Sequence, residues 1–156
     1  MRNAAEAAAA DPLHLLKMAV GVASLDELRE ARARRIVQLG GSWVYTRNRP
    51  RRSETLLAGG SLYWVIRGQI RVRQRITGFD GRRDEKGRAY CLIAVDPTLV
   101  PTLARPWRPF QGWRYLTPAD APPDLSAARL AEQGREDAGA PMPARLAAEL
   151  RALGLL

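Results

Sequence analysis

Two strand-like runs separated by only two residues constrain the fold of this chain more than any other feature. SLYWVIR (residues 61–67) and IRVRQRI (residues 70–76) are rich in β-branched and aromatic residues, which favour extended strands. A glycine at the first of the two residues between them, Gly68, is typical of a type II′ turn. The sequence therefore predicts an antiparallel hairpin with Gly68-Gln69 at its tip.

The predicted hairpin has two different faces, because side chains alternate along a strand and paired residues share a face. Three arginines on one side of a strand would need three buried partners, so their face is expected to point to solvent. That face combines Leu62, Trp64 and Ile66 with Arg71, Arg73 and Arg75. The other face is apolar and is expected to be buried; it holds Tyr63, Val65, Ile70, Val72 and Ile76.

A row of guanidinium groups beside the Trp64 indole suits a nucleic acid, since arginine pairs with phosphate and an aromatic ring stacks on a base. The alternative is an arginine row in solvent, with Trp64 covered by another element. Both interpretations depend on the register of the hairpin, because a slip of one residue exchanges the two faces.

The positive charge of the chain is concentrated in its middle. The formal net charge is +9, and residues 41–116 alone contain fifteen Lys or Arg and five Asp or Glu, which gives that segment +10. Such a concentration indicates a phosphate-rich polymer, an acidic protein or an anionic surface as partner, and the alternative is a solvated basic surface. Two further arginine groups lie here, one at a strand-to-helix junction and one among aromatic residues in a stretch stiffened by proline. The residues predicted to bind nucleic acid are Arg47, Arg51, Arg52, Trp64, Arg71, Arg73, Arg75, Arg105, Arg108 and Arg114.

The remaining pattern predicts an α+β domain with a mostly antiparallel, curved or barrel-like sheet and two to four helices. A capping box formed by Ser24 and Glu27 starts one helix, and Pro50 starts a short second helix. Two segments are predicted as irregular, residues 79–88 and residues 98–110. The other predicted strands cover residues 13–22, 43–47, 89–96 and 111–116.

The ends of the chain differ from this pattern. Residues 1–12 are expected to be a flexible lead-in, residues 13–134 a single α+β domain, and residues 135–156 a C-terminal extension that forms a short helix. A further helix is predicted to begin after Asp124, which has the residue type of an N-cap.

Residues that carry catalysis or bind metals are scarce. His14 is the single histidine and lies in an apolar run, so a hydrogen-bonded core histidine is expected. Cys91 lies in the middle of a strand and is expected to be packed and inert. Glu54 and Asp96 are too few for a two-metal site. The sequence therefore predicts no catalytic residue, no metal site and no cofactor.

Five motifs carry a resemblance to a known family: SLYWVIRG, IRVRQRI, Asp96-Pro97, RPFQGWRYL and DAPPDL. They resemble those of an uncharacterised family of small alphaproteobacterial proteins, and that resemblance implies no activity. The order of helix, Gly-Gly, aromatic strand and hairpin is loosely similar to the PUA-like superfamily, small β-barrels with helices that bind RNA or modified bases. This second similarity implies a barrel-like sheet and an RNA partner.

The sequence thus predicts a nucleic-acid-binding module for RNA or another single strand, with no membrane partner. One alternative is a protein-interaction module that docks on an acidic partner, for which a homodimer formed through the C-terminal helix is one arrangement. A third is an enzyme acting on a phosphorylated or nucleotide substrate, with His14, Glu54 or Asp96 as acid–base groups. The single cysteine and the lack of a signal-peptide pattern or a long apolar segment predict a cytoplasmic protein.

Overall fold

The structure is a computed structural model that describes residues 12–125. Within these residues, one mixed and mostly antiparallel sheet of seven strands combines with two helices, which confirms the predicted α+β class. The helices are α1 (Leu25–Leu39) and α2 (Ser53–Leu57). The strands are β1 (His14–Met18), β2 (Trp43–Thr46), β3 (Ser61–Ile66), β4 (Gln69–Arg83), β5 (Ala89–Val95), β6 (Val100–Pro106) and β7 (Trp113–Leu116).

The sheet is open, in the order β2-β5-β4-β3-β1-β7, and β6 pairs with β4 beside this path. The predicted helix after Asp124 and the C-terminal extension lie outside the described residues, as does the lead-in up to residue 11. Asp124 itself forms an isolated β-bridge with Thr102. Neither of the two described helices is long and apolar enough to span a membrane.

Strand β4 is the central element of the sheet because it takes different partners along its fifteen residues. Its first half, residues 69–75, pairs with β3 on one edge and with β6 on the other. Its second half, residues 76–83, pairs with β5, which in turn pairs with β2. The predicted loops at residues 79–88 and 98–110 are therefore wrong in part, because backbone pairing with β5 and β4 overrides the Gly, Asp and Pro residues that mark them as irregular.

The hairpin of β3 and β4 is present, but its register differs from the predicted one. The turn residues are Arg67 and Gly68, with φ of 50° and 78°, which is the pattern of a type I′ rather than a type II′ turn. A bulge between Trp64 and Val65 then shifts the pairing, so that Trp64 lies opposite Val72. The predicted assignment of side chains to the two faces is therefore wrong.

Both faces of this part of the sheet are covered, so two cores form. The prediction that Tyr63, Val65, Ile70 and Val72 are buried is confirmed, but they do not share one face. Val72 lies in the main core with Leu15, Leu62, Trp64, Ile76, Cys91 and Ile93. The second core, on the opposite face, consists of Leu16, Tyr63, Val65, Ile70 and Leu116, with Trp107 and Phe110 packed against it.

Helix α1 begins as predicted. The Glu27 amide donates to the Ser24 hydroxyl at 3.1 Å, and the Glu27 carboxylate accepts from the Ala23 amide at 3.1 Å. The helix ends at Gly40, whose φ of 75° is left-handed. Its buried face consists of Leu25, Leu28 and Arg32, so a charged residue occupies the last position of the apolar stripe.

Candidate nucleic-acid interface

Within residues 12–125, the three-stranded part of the sheet, formed by β2, β5 and the second half of β4, buries only one of its faces completely. Cross-strand pairs place Val44 opposite Ile93, and both belong to the main core. Because side chains alternate, their neighbours point to the other side. We call this side the outer sheet face; its aromatic and arginine residues are Trp43, Tyr45, Arg47, Arg82 and Tyr90.

Aromatic rings and guanidinium groups lie side by side on the outer sheet face. The rings of Tyr45 and Tyr90 have their centroids 5.3 Å apart with an interplanar angle of 30°. The Arg47 guanidinium lies 5.8 Å from the Tyr45 ring centroid, and that of Arg82 lies 5.9 Å from the Trp43 centroid. Tyr45 is 45% exposed, which is a large value for an aromatic side chain on a strand. This surface therefore offers both π-faces and positive charge.

A groove of about 660 Å³ runs along the outer sheet face, and we call it the outer groove. It is lined by more cations than carboxylates, with Asp84 and Glu85 as its acidic residues. The basic and aromatic residues that line it are Arg47, Arg82, Arg83, Lys86, Arg88, Tyr45 and Tyr90. A second groove of about 420 Å³ continues from it past Arg49 and Gly81 and has no acidic residue among its described lining residues.

The loop between β4 and β5 is held in one conformation by Asp84. Its carboxylate oxygen Oδ1 accepts hydrogen bonds from the amides of Lys86 and Arg88, each at 2.9 Å. Arg83 donates through Nη1 to the Gly87 carbonyl at 2.8 Å. These hydrogen bonds order the loop backbone, so little backbone entropy would be lost when the loop binds a ligand.

Arg47 is the predicted binding residue that lies on the outer sheet face. Its Nη1 donates to the Ala89 carbonyl at 3.0 Å and lies 3.8 Å from an Asp84 carboxylate oxygen. Arg51 and Arg52 are exposed before α2, and the Arg52 amide donates to the Tyr115 hydroxyl at 3.1 Å. They are separated from Arg47 by only a few residues of chain but do not line the outer groove.

Trp64 is not a stacking surface, which corrects the sequence prediction. It is 5% exposed in the main core, where its Nε1 donates to Gln74 Oε1 at 2.9 Å. Gln74 Nε2 in turn donates to the Asp96 carbonyl at 2.9 Å. The predicted face pairs Trp64 with arginines because the residue pattern signals neither the bulge nor the type I′ turn, and the resulting slip of one residue moves the indole to the core side.

Of the three hairpin arginines, Arg73 lies on the second-core side of β4, opposite Tyr63. Arg73 donates through Nε and Nη2 to both carboxylate oxygens of Asp124, each at 2.7 Å, and through Nη1 to the Ser61 hydroxyl. This bidentate pair raises the pKa of Arg73. Arg71 is partly buried and Arg75 is exposed, so the three arginines do not form a continuous row beside an indole.

The third predicted group lies around the second core, away from the outer sheet face. Arg105 pairs with Asp120 at 3.3 Å, Arg114 lies 5.3 Å from the Phe110 ring centroid, and Arg108 is exposed. Trp113 and Tyr115 are partly buried against the main core. The ten predicted residues are therefore distributed over several surfaces.

The sequence interpretation missed several residues of the outer sheet face and its groove. They are Trp43, Tyr45, Arg82, Arg83, Arg88 and Tyr90. A signal is present, because residues 43, 45 and 47 of WVYTR alternate with the apolar positions in the manner of an aromatic and basic strand face. The predicted loop at residues 79–88 leaves β2 without a basic neighbour, and for that reason the signal did not lead to a site.

His14 and Cys91 are both buried. The Ser61 amide donates to His14 Nδ1 at 3.0 Å, and burial together with the nearby Arg73 lowers the pKa of His14 to about 4. The Cys91 thiol is fully buried in β5, and burial raises its pKa. Among residues 12–125, no group of three or more His, Cys, Asp or Glu is arranged to hold a metal ion.

The chain matches no curated protein and no solved structure. A family model does match, and the match covers residues 15–156, which is most of the sequence. The chain therefore belongs to the family described as protein of unknown function (DUF1489).

Proposed function

We propose that the protein binds single-stranded nucleic acid, with RNA favoured, on the outer sheet face and in the outer groove. The observation that carries the proposal is the side-by-side arrangement of Tyr45 and Tyr90 with Arg47 and Arg82 on one sheet surface. Sequence-tolerant readers of single strands combine aromatic rings that stack on bases with cations that track the phosphates.

The geometry favours a single strand over a duplex. In a duplex the bases are stacked on each other, so an exposed tyrosine such as Tyr45 would gain nothing from them. The cations of the outer groove lie on a short loop and on strands, where they follow an extended backbone rather than enter a major groove. A cytoplasmic location and a PUA-like relationship of the fold belong to the same proposal and remain predictions.

The test is the binding of a short unstructured RNA, measured by fluorescence anisotropy at several salt concentrations. Arg82→Gln and Arg88→Gln should each weaken binding and make the dependence on salt shallower, by about 0.7 in logarithmic slope for each phosphate that is no longer neutralised. Arg75→Gln and Arg108→Gln are matched controls, since they remove the same charge from exposed positions outside the groove.

Equal losses of affinity for both pairs of variants would show that only net charge matters and would overturn the proposed site. Binding of the wild-type protein no tighter than that of an unrelated protein of equal net charge would overturn the function. In that case, capture of an acidic protein through the same cations becomes the explanation to pursue. Duplex DNA of equal length serves as the competitor that tests the preference for single strands.

A further inference from the structure

Arg32 is a buried cation without a carboxylate partner in the described part of the chain. It follows Leu25 and Leu28 on the core-facing side of α1 and is 7% exposed. Its guanidinium lies 5.7 Å from the Trp64 ring centroid, and Nη2 donates to the Trp43 carbonyl at 2.9 Å. Its Nε is buried without a hydrogen-bond partner. Such an arrangement is costly unless an anion compensates the charge.

A cavity opens beside this guanidinium, between α1, the end of β1 and β2; we call it the arginine cavity. It has a volume of about 280 Å³, close to the lower end of small-molecule sites at about 300 Å³. Its charged lining residues are Lys17, Arg32 and Arg35, and no carboxylate is among its described lining residues. Burial lowers the pKa of Lys17, and burial together with Arg35 lowers the pKa of Arg32 to about 10.

The walls of the arginine cavity are apolar and aromatic. They include Leu28, Leu39, Trp43, Val44, Tyr45 and Trp64. Three cations at one place favour a doubly charged group over a singly charged one, and aromatic walls favour a ring attached to it. Leu39 and Tyr45 also line the outer groove, so the cavity and the outer sheet face are continuous.

We propose that the arginine cavity binds a phosphate monoester attached to an aromatic body, that is, a nucleoside monophosphate, with the phosphate at Lys17, Arg32 and Arg35. The nucleotide has two sources, a free molecule or the phosphorylated end of a strand on the outer sheet face. Only the second source rests on the proposed function. In both cases the phosphate supplies the negative charge that Arg32 does not receive from a carboxylate within residues 12–125.

The first measurement is isothermal titration calorimetry of the protein with AMP, with adenosine and with inorganic phosphate. AMP should bind at least about tenfold more tightly than either fragment, because each fragment satisfies only one part of the site. Arg35→Gln should reduce AMP affinity about tenfold to a hundredfold, in the range of one hydrogen bond to a charged group. Arg34→Gln is the matched control, since Arg34 lies on the same helix, is exposed and does not line the cavity.

The second measurement separates ligand binding from structural support. Arg32→Met should abolish AMP binding and raise Tm in the absence of ligand, because an apolar side chain of similar length replaces a buried charge that no carboxylate of residues 12–125 compensates. A lower Tm for Arg32→Met would show that Arg32 supports the fold through the Trp43 carbonyl. That result, together with unchanged AMP binding in Arg35→Gln, would overturn the proposal. Equal binding of AMP and adenosine, or no AMP binding at millimolar concentration, would overturn it as well.

Oligonucleotides with phosphate or hydroxyl ends distinguish the two sources. Tighter RNA binding with an end phosphate, abolished in Arg35→Gln but not in Arg34→Gln, assigns the strand end. If RNA with either end binds equally and AMP also binds, the ligand of the cavity is the free nucleotide. The proposal that RNA binds on the outer sheet face then still stands. AMP binding without any RNA binding supports the cavity while it overturns the proposed function.

Discussion

The two halves of β4 carry similar arginines but present them differently. Arg73 in the first half lies on the side of the sheet that the second core covers. Its three guanidinium nitrogens donate hydrogen bonds to Asp124 and Ser61. Arg82 in the second half lies on the outer sheet face and contacts Asp80 at 2.8 Å in solvent. The first half has three arginines among residues 69–75 and the second has two among residues 76–83, and the two halves also differ in what packs over them. Because no second layer packs on the outer sheet face within residues 12–125, we expect the arginines of the second half to be the ones that bind a ligand.

The largest expected effect concerns Trp64 in the covered half, and it tests whether this half is a packed core rather than a binding surface. Trp64→Ala should lower the free energy of unfolding by about 3–5 kcal/mol, because it leaves a large cavity and removes the donor to Gln74. Urea denaturation monitored by circular dichroism measures this loss. If the variant keeps its stability and instead loses RNA affinity, the indole is a binding surface and the comparison fails.

The second effect is a dependence of stability on pH that arises from His14. Its pKa is lowered to about 4 in the folded protein from 6.5, so folding favours the neutral imidazole. Protonation of His14 therefore lowers the free energy of unfolding as the pH falls from 6.5 towards 4. The loss is absent above pH 6.5 and reaches roughly 3 kcal/mol below pH 4. Urea titrations at pH 7 and at pH 4.5 of the wild type and of His14→Gln isolate this contribution. An equal loss in both proteins would mean that His14 is not enclosed as described.

The third effect concerns Tyr45 in the open half and tests whether its ring stacks on RNA bases. Tyr45→Ala should weaken RNA binding by about 1–3 kcal/mol with a nearly unchanged salt dependence, since a ring rather than a charge is removed. Its stability should change little, because the side chain is 45% exposed. Tyr45→Phe keeps the ring and should keep most of the affinity. A parallel loss of affinity in Tyr45→Phe would point to the hydroxyl and away from stacking.

The smallest effect tests whether the open half is packed on its inner side. Cys91 is fully buried there, so Cys91→Ala should lower stability by about 1 kcal/mol and leave RNA affinity unchanged. A thiol reagent should label the native wild-type protein only slowly. Rapid labelling at full folded yield would show that this part of the sheet opens readily.

Local signals in the sequence predicted much of the fold. The capping box at Ser24 and Glu27, the strand at β5 and the presence of a hairpin at Gly68 all depend on neighbouring residues, and the structure contains each of them. The pairing of residues 78–83 with β5 is different, because Gly78, Asp80 and Gly81 have low strand propensity. Only the energy of the completed ladder stabilises them there, and local propensity does not reveal that energy.

The candidate site was harder to predict than the fold because it depends on which face of the sheet each side chain points to. The position of the charge in residues 41–116 was evident, but the face on which each residue lies changes with a shift of one residue. The bulge at Trp64 and Val65 introduces such a shift. Since the first half of β4 is covered on both sides, burial alone does not reveal the correct register.

The position of β1 in the sheet has a consequence for synthesis on the ribosome. One edge of β1 pairs with β3, but the other pairs with β7, where His14 lies opposite Leu116. Translation of the residues between them takes roughly 5–20 s. During that interval the second edge of β1, with Leu15 and Leu16 in it, has no strand beside it. Chains that terminate before Trp113 therefore keep an unpaired strand edge, whose backbone N–H and C=O groups are able to pair with a strand of another chain.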